Sequence, residues 1–189
     1  DIYIHGLNYR SNKSFEHSHY FVREFFKFIQ ENQFDINDQT FINMLFSVML
    51  IEYHPFNFMN YTKNYIRELI DERKEVRYHE LFDQLSGRRQ RILSLLKIPY
   101  YSNVKKIKIG TTKNLALLYF YLLGLSDREL RDKGSKGLLI LLENNPYLLK
   151  GLYLEAIGID DQYIIERFLI ILDGLMSIIK LSVGLLPAP

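Results

Sequence analysis

Leu123-Gly-Leu-Ser-Asp-Arg-Glu-Leu-Arg-Asp-Lys-Gly-Ser-Lys-Gly-Leu-Leu-Ile-Leu-Leu-Glu-Asn-Asn-Pro146 decides the fold, because every local signal in it agrees on one helix. Ser126 is the expected N-cap, with Glu129 three residues on. Its hydroxyl can accept from the amide of Glu129 while the Glu129 carboxylate reaches back to the amide of Ser126. Leu130, Gly134, Gly137, Leu138 and Leu141 recur at spacings of three and four and share one face. Asn144, Asn145 and Pro146 supply the stop.

The outer face of this helix is equally ordered. Asp127 precedes Arg131, Glu129 precedes Lys133 and Asp132 precedes Lys136, each four apart with the acid on the N-terminal side. Such pairs contribute about 0.2–0.5 kcal/mol each. Two glycines on the inner face cost more, about 1 kcal/mol apiece against alanine. Close approach of a neighbouring helix to Gly134 and Gly137, where no Cβ intervenes, is the expected compensation.

Outside this stretch the composition narrows the possibilities. The 189 residues can bury a sizeable core, and one domain or one run of helical repeats is the expected size. With 24 basic against 22 acidic residues the net charge is +2, so no global field argues for nucleic acid or an anionic membrane. Cysteine is absent, which removes disulfides and thiolate chemistry and fits a reducing cytoplasm. The first residues lack a charged start followed by an apolar run, and the chain reads as a segment of something longer. The most apolar region, 164–186, carries Glu166, Arg167, Asp173 and Lys180 and reads as a core helix instead of a membrane span.

Helical patterns fill most of the remainder. Ser14 caps an apolar stripe from Phe15 to Ile29, and a second, apolar nearly all round, runs from Phe41 to Ile51. His54-Pro55-Phe56-Asn57 ends that helix, and Asn57 caps the next, from about Phe58 to Glu72. A shorter helix near Tyr78 to Leu85 leads, through Ser86-Gly87, to a basic amphipathic helix from Arg88 to Leu96. Residues 97–112 hold no helical phase and read as a long loop or short strand. The pattern restarts at Thr111 or Thr112 and runs to Leu123. After Pro146 a helix extends to about Ala156, and Asp160 or Asp161 caps a last one.

The chain also carries a weak internal repeat. Sliding it along itself until Asp127-x-x-Leu130 falls on Asp161-x-x-Ile164 also lays Asp132-Lys133 on Glu166-Arg167, and Leu138 on Leu172. Helix pairs repeating at roughly 34 to 47 residues mark tetratricopeptide, HEAT and armadillo solenoids. The expected fold is therefore all-α, a HEAT/TPR-like helical repeat or α-solenoid segment. Its expected organisation is an N-terminal helical segment over 1–100, a loop over 101–112 and HEAT-like helix pairs over 113–189.

The stretch Ser126 to Leu142, followed by Asn145-Pro146, Ile159-Asp-Asp-Gln-Tyr-Ile-Ile-Glu-Arg167 and Asp173-Gly174, resembles the C-terminal helical sensor region of bacterial antiviral STAND NTPases, the Avs group. His54-Pro55-Phe56-Asn57 is similar to the histidine-proline-leucine-asparagine element that precedes the repeats there. The likeness covers about residues 54 to 176. Gly134 and Gly137 stand where the family has alanines, and Gln162 where it has proline. The resemblance implies a target-recognition module that binds a viral structural protein, the large terminase subunit or the portal, and so triggers oligomerisation. ATP and magnesium would then belong to an NTPase core elsewhere, with no cofactor in this segment. A small-molecule-sensing effector domain of a transcriptional regulator is the alternative, and it would need an enclosed apolar pocket.

Candidate chemistry is sparse. His17 and His19 point about 200° apart on a helix, and His5, His54 and His79 sit in no metal-ligand spacing, so no metal site is expected. Gly110-Thr111-Thr112-Lys113 lacks the spacing of a phosphate loop and reads as a helix-capping turn. Asp132, Glu166 and Arg167 are expected in ion pairs between repeats, and no pair of titratable residues suggests a catalytic reaction. The stretch with Tyr100, Tyr101, Lys105, Lys106 and Lys108 mixes aromatic and basic side chains. It is the expected contact site for a protein partner; near-neutral charge argues against nucleic acid.

Overall fold

The computed structural model describes residues 45–54, 56–62, 83, 85–159 and 161–184, and among them there is helix, turn and loop but no strand. The helix expected at 14–32, residues 41–44 of the next, the part beyond Thr62 and most of the helix near Tyr78 lie outside the described residues. Contacts group the chain into two compact units, Asp1–Gln84 with Lys108–Asn114, and Leu85–Ile107 with Leu115–Pro189.

In the first unit, a helical stretch at 45–48 runs into a tight loop, and α1 (Phe58–Thr62) follows. The loop is closed by its own polar groups. Phe58 N donates to Met49 O at 2.8 Å, Asn57 N to His54 O at 2.9 Å and Phe56 N to His54 Nδ1 at 3.1 Å. Asn57 caps α1 as its position suggests, its Oδ1 accepting from Asn60 N at 2.9 Å while its Nδ2 donates to Glu52 O at 2.9 Å. Asn114 Oδ1 takes the amide of Met59 at 2.9 Å, and the carboxylate of Glu52 takes that of Gly110 at 3.0 Å. Phe56, Phe58 and Tyr61 are buried around this loop.

The second unit contains α2 (Arg89–Leu95), α3 (Ile98–Tyr101), a 3-10 turn (Val104–Lys106), the part of α4 (Ile109–Leu122) from Leu115 onward, α5 (Arg128–Asn144), α6 (Leu148–Gly158) and α7 (Gln162–Gly184). Residues 97–112 are thus largely helical, where a loop or strand was expected. Pro99 is tolerated because it sits in the first turn of α3, where its missing N–H costs nothing. Val104 anchors the 3-10 turn by burial, and α4 begins two residues before Thr111.

The helix expected after Ser126 is α5, with its cap one residue later. Asp127, not Ser126, is the N-cap: its Oδ1 accepts from Leu130 N at 3.1 Å, while Ser126 is exposed. A carboxylate meets the positive end of the helix better than a hydroxyl does. Glu129 is thereby the second residue of the first turn, where it takes Lys133 Nζ at 2.6 Å as expected. The other two expected pairs do not form. Asp127 pairs with Arg89, Arg131 Nη1 donates to Leu125 O at 3.1 Å, and Asp132 faces Arg128 and Arg167.

Leu130, Gly134, Gly137, Leu138 and Leu141 are all buried on the inner face of α5. A Cβ on Gly137 would stand 2.7 Å from Cε2 of Tyr119, and one on Gly134 would stand 3.1 Å from Cβ of Leu122. Moving along α5 by three residues moves back along α4 by three, so the two helices are antiparallel. The glycines have the expected role, although what fills the space over Gly137 is an aromatic ring. Tyr119 is fully buried, and its hydroxyl donates to Leu95 O at 2.8 Å.

Between α5 and α7 the sense is reversed. Arg131 lies over Tyr163, Asp132 faces Arg167, and Leu139 reaches Gly174. Both numbers rise together, so α5 and α7 run parallel, nearly in the register that lays Asp127 on Asp161. Asp161 Oδ1 accepts from Ile164 N at 3.1 Å, as Asp127 does from Leu130. Ile164, Phe168, Ile171 and Leu175 are buried on α7, and in that same register they fall on Leu130, Gly134, Gly137 and Leu141. Burial of each of these α7 side chains is worth about 1.5–3 kcal/mol. Phe120 of α4 meets Phe168 edge to face at 5.3 Å, and Tyr121 donates to Glu155 of α6 at 2.6 Å.

Candidate functional site

The parallel packing of α5 and α7 leaves an open groove of about 230 Å³, lined by Asp132, Ser135, Lys136, Arg167, Ile170 and Ile171. One turn of α5 supplies its polar wall, because Asp132, Ser135 and Lys136 follow at spacings of three and four on the side turned away from α4. On α7 the same spacing sets Arg167 beside Ile170 and Ile171. Ile171 is buried as floor, whereas Ile170 is 70% exposed.

The charges in this groove are unevenly matched. Asp132 is approached by Arg128 Nε at 3.5 Å and by Arg167 Nη1 at 3.6 Å, beyond good hydrogen-bond length in both cases. Lys136 is exposed, and among the described residues no carboxylate stands at ion-pair distance from it. Arg167 is aimed by Tyr163, whose hydroxyl accepts from its Nε at 2.7 Å and whose ring lies 5.0 Å from its Cζ. Arg131 approaches the same ring at 5.7 Å. A guanidinium is thus fixed with donor atoms to spare.

A second cluster stands at the start of α5. Arg89 Nε donates to Asp127 Oδ2 at 2.9 Å and its Nη2 to Glu129, which also takes Lys133. The Leu130 amide, followed by Arg89, holds the Asp127 carboxyl below its ordinary range. Lys133, followed by Arg89, does the same for Glu129. This cluster is internally matched and serves to tie α2 to α5.

Tyr100 and Tyr101, from the aromatic and basic stretch, lie exposed on α3, and Lys105 and Lys106 lie exposed on the 3-10 turn. Lys108 is exposed as well but belongs to the first unit. Gly110-Thr111-Thr112-Lys113 forms the first turn of α4: Thr112 Oγ1 donates to Lys108 O at 3.0 Å, and the Gly110 amide is taken by Glu52. His54 is buried, and burial pushes its imidazole down from its ordinary value. Among the described residues no group of three His, Asp or Glu could hold a metal ion, and no helix is long and apolar enough to cross a membrane.

Of the residues expected in ion pairs, Asp132 of α5 and Arg167 of α7 face each other, whereas Glu166 accepts from Gln162 at 3.2 Å within α7. Ser135, Ile170 and Ile171 carry no signal of their own in the sequence, and Lys136 stands out there only as the expected partner of Asp132. The internal repeat holds the signal, since the register that lays Asp127 on Asp161 also lays Lys136 on Ile170. Comparison of the chain with protein-family models, with curated proteins and with solved structures finds no match.

Proposed function

We propose that this chain is a protein-recognition segment built as a HEAT/TPR-like α-solenoid, in which α4–α5 and α6–α7 are successive helix pairs. It acts in the cytoplasm as the sensor part of an antiviral STAND NTPase, binds a viral structural protein such as the large terminase subunit or the portal, and performs no reaction itself. The observation that carries the architecture is the equivalence of two helices: Asp127 and Asp161 cap α5 and α7 alike, and those helices lie parallel in that register. Stacked helix pairs of this kind present long surfaces to partners. The groove between α5 and α7 is open and has charged walls, which suits a protein side chain better than an enclosed apolar ligand. The antiviral identity rests on the motif resemblance. ATP and oligomerisation would belong to the NTPase.

Titration calorimetry of the chain against purified large terminase subunits and portal proteins tests this reading. A saturable complex with one of them is expected. Absence of binding across a diverse panel of both would count against the viral-sensor assignment.

A further inference from the structure

Resting on the protein-recognition reading, we propose that the groove between α5 and α7 docks an amphipathic helix of a partner, one large apolar anchor entering beside Ile170 and an acidic side chain one turn away pairing with Lys136 and Arg167. Three features of the groove select this occupant. Its charge is one-sided: Lys136 and Arg167 line it against Asp132 alone, and that carboxylate is already divided between Arg128 and Arg167 at 3.5 and 3.6 Å. A partner carboxylate therefore meets unspent donors. Arg167 is also held in position before any partner arrives, by its 2.7 Å bond to the Tyr163 hydroxyl, so little ordering is left to be done on binding.

Ile170, at 70% exposure, together with the buried Ile171 gives the polar wall an apolar counterpart, and about 230 Å³ accommodates one large side chain. Two parallel helices leave a trough along their axes, and a third helix lies in such a trough with anchors at spacings of three and four. An apolar residue and an acid at that spacing would meet Ile170 and Lys136 together.

The test uses the whole chain and two synthetic sixteen-residue helical peptides that differ only in the charged residue flanking a leucine stripe, glutamate in one and lysine in the other. Binding is followed by amide shifts in ¹H–¹⁵N spectra. The glutamate peptide is expected to perturb Ser135, Lys136, Arg167 and Ile170 and to bind at least about tenfold more tightly than the lysine peptide, a difference of about 1.4 kcal/mol. Lys136→Glu, a change at an exposed side chain, should abolish that preference with the melting temperature unchanged. Equal affinity for both peptides, shifts confined to other helices, or a Lys136→Glu variant that keeps the preference would overturn the proposal. So would concentration-dependent self-association lost in Ile170→Glu, which would give the groove to a second copy of the chain. A viral protein that binds wild type and Lys136→Glu equally well sinks the groove but leaves the sensor reading standing. Peptide binding with no viral target does the reverse.

Discussion

Asp127 and Asp161 perform the same act at the starts of two different helices: each carboxylate accepts the amide three positions on, from Leu130 and Ile164, at 3.1 Å. Each of those amides belongs to a fully buried apolar residue, so the cap fixes where a helix begins and which face it turns inward. Helix start, capping chemistry and inner face therefore recur together in α5 and α7.

Replacing either cap by alanine should cost about 1 kcal/mol, with asparagine or serine restoring most of it. Chemical denaturation at neutral pH measures this. Asp127→Ala should be slightly the more costly because it also releases Arg89. A silent Asp161→Ala would break the equivalence.

Gly137→Ala sets a helix-propensity gain of about 1 kcal/mol against overpacking of about 1–3 kcal/mol. The ring of Tyr119 would have to retreat from the new Cβ, and its hydroxyl is committed to Leu95 O. A net loss is expected, visible as a lower melting temperature. Gly134→Ala should fall near zero, because its 3.1 Å contact needs a shift of only a few tenths of an ångström, whereas Gly134→Leu should be clearly destabilising. An unchanged melting temperature for Gly134→Leu would remove the close-approach argument.

His54 should make stability depend on pH. Burial lowers its pKa in the folded chain, so its contribution is fully present above the unfolded value of about 6.5 and is lost as pH falls through the lower folded value. Between about pH 7.5 and pH 5, wild type should lose more stability than His54→Asn, whose side-chain oxygen can still accept from Phe56 N. Urea midpoints at the two pH values decide it, and parallel losses would exclude His54 as the source.

Charge reversal at Lys105 and Lys106 should weaken capture of a protein partner without changing the melting temperature, since both side chains are exposed on the 3-10 turn. A pull-down in which the double variant retains its target at wild-type level would take this stretch out of the binding surface.

The inner face and the C-terminal end of α5 were legible because one helix carries its own periodicity, stop signals and glycines. The cap was misplaced by one residue because Ser126 and Asp127 are both good N-caps, and the pairing of Asp127 with Arg89, far away in sequence, carries no local signal. Residues 97–112 hid their helices because support comes from elsewhere: Pro99 and Val104 are held by burial, and the first turn of α4 by Glu52. The groove was the least legible feature. Lys136 looked like the i,i+4 partner of Asp132, and only the packing of α7 shows that Arg167 competes for that carboxylate.

Nuclear Overhauser contacts across α5 and α7 test the proposed repeat register directly. Leu139 methyls should reach the α-protons of Gly174, as parallel helices in equivalent positions of a repeat require. Contacts from Leu139 to the Tyr163 end of α7, with none to Gly174, would mean that these helices do not stack as equivalent members of a repeat.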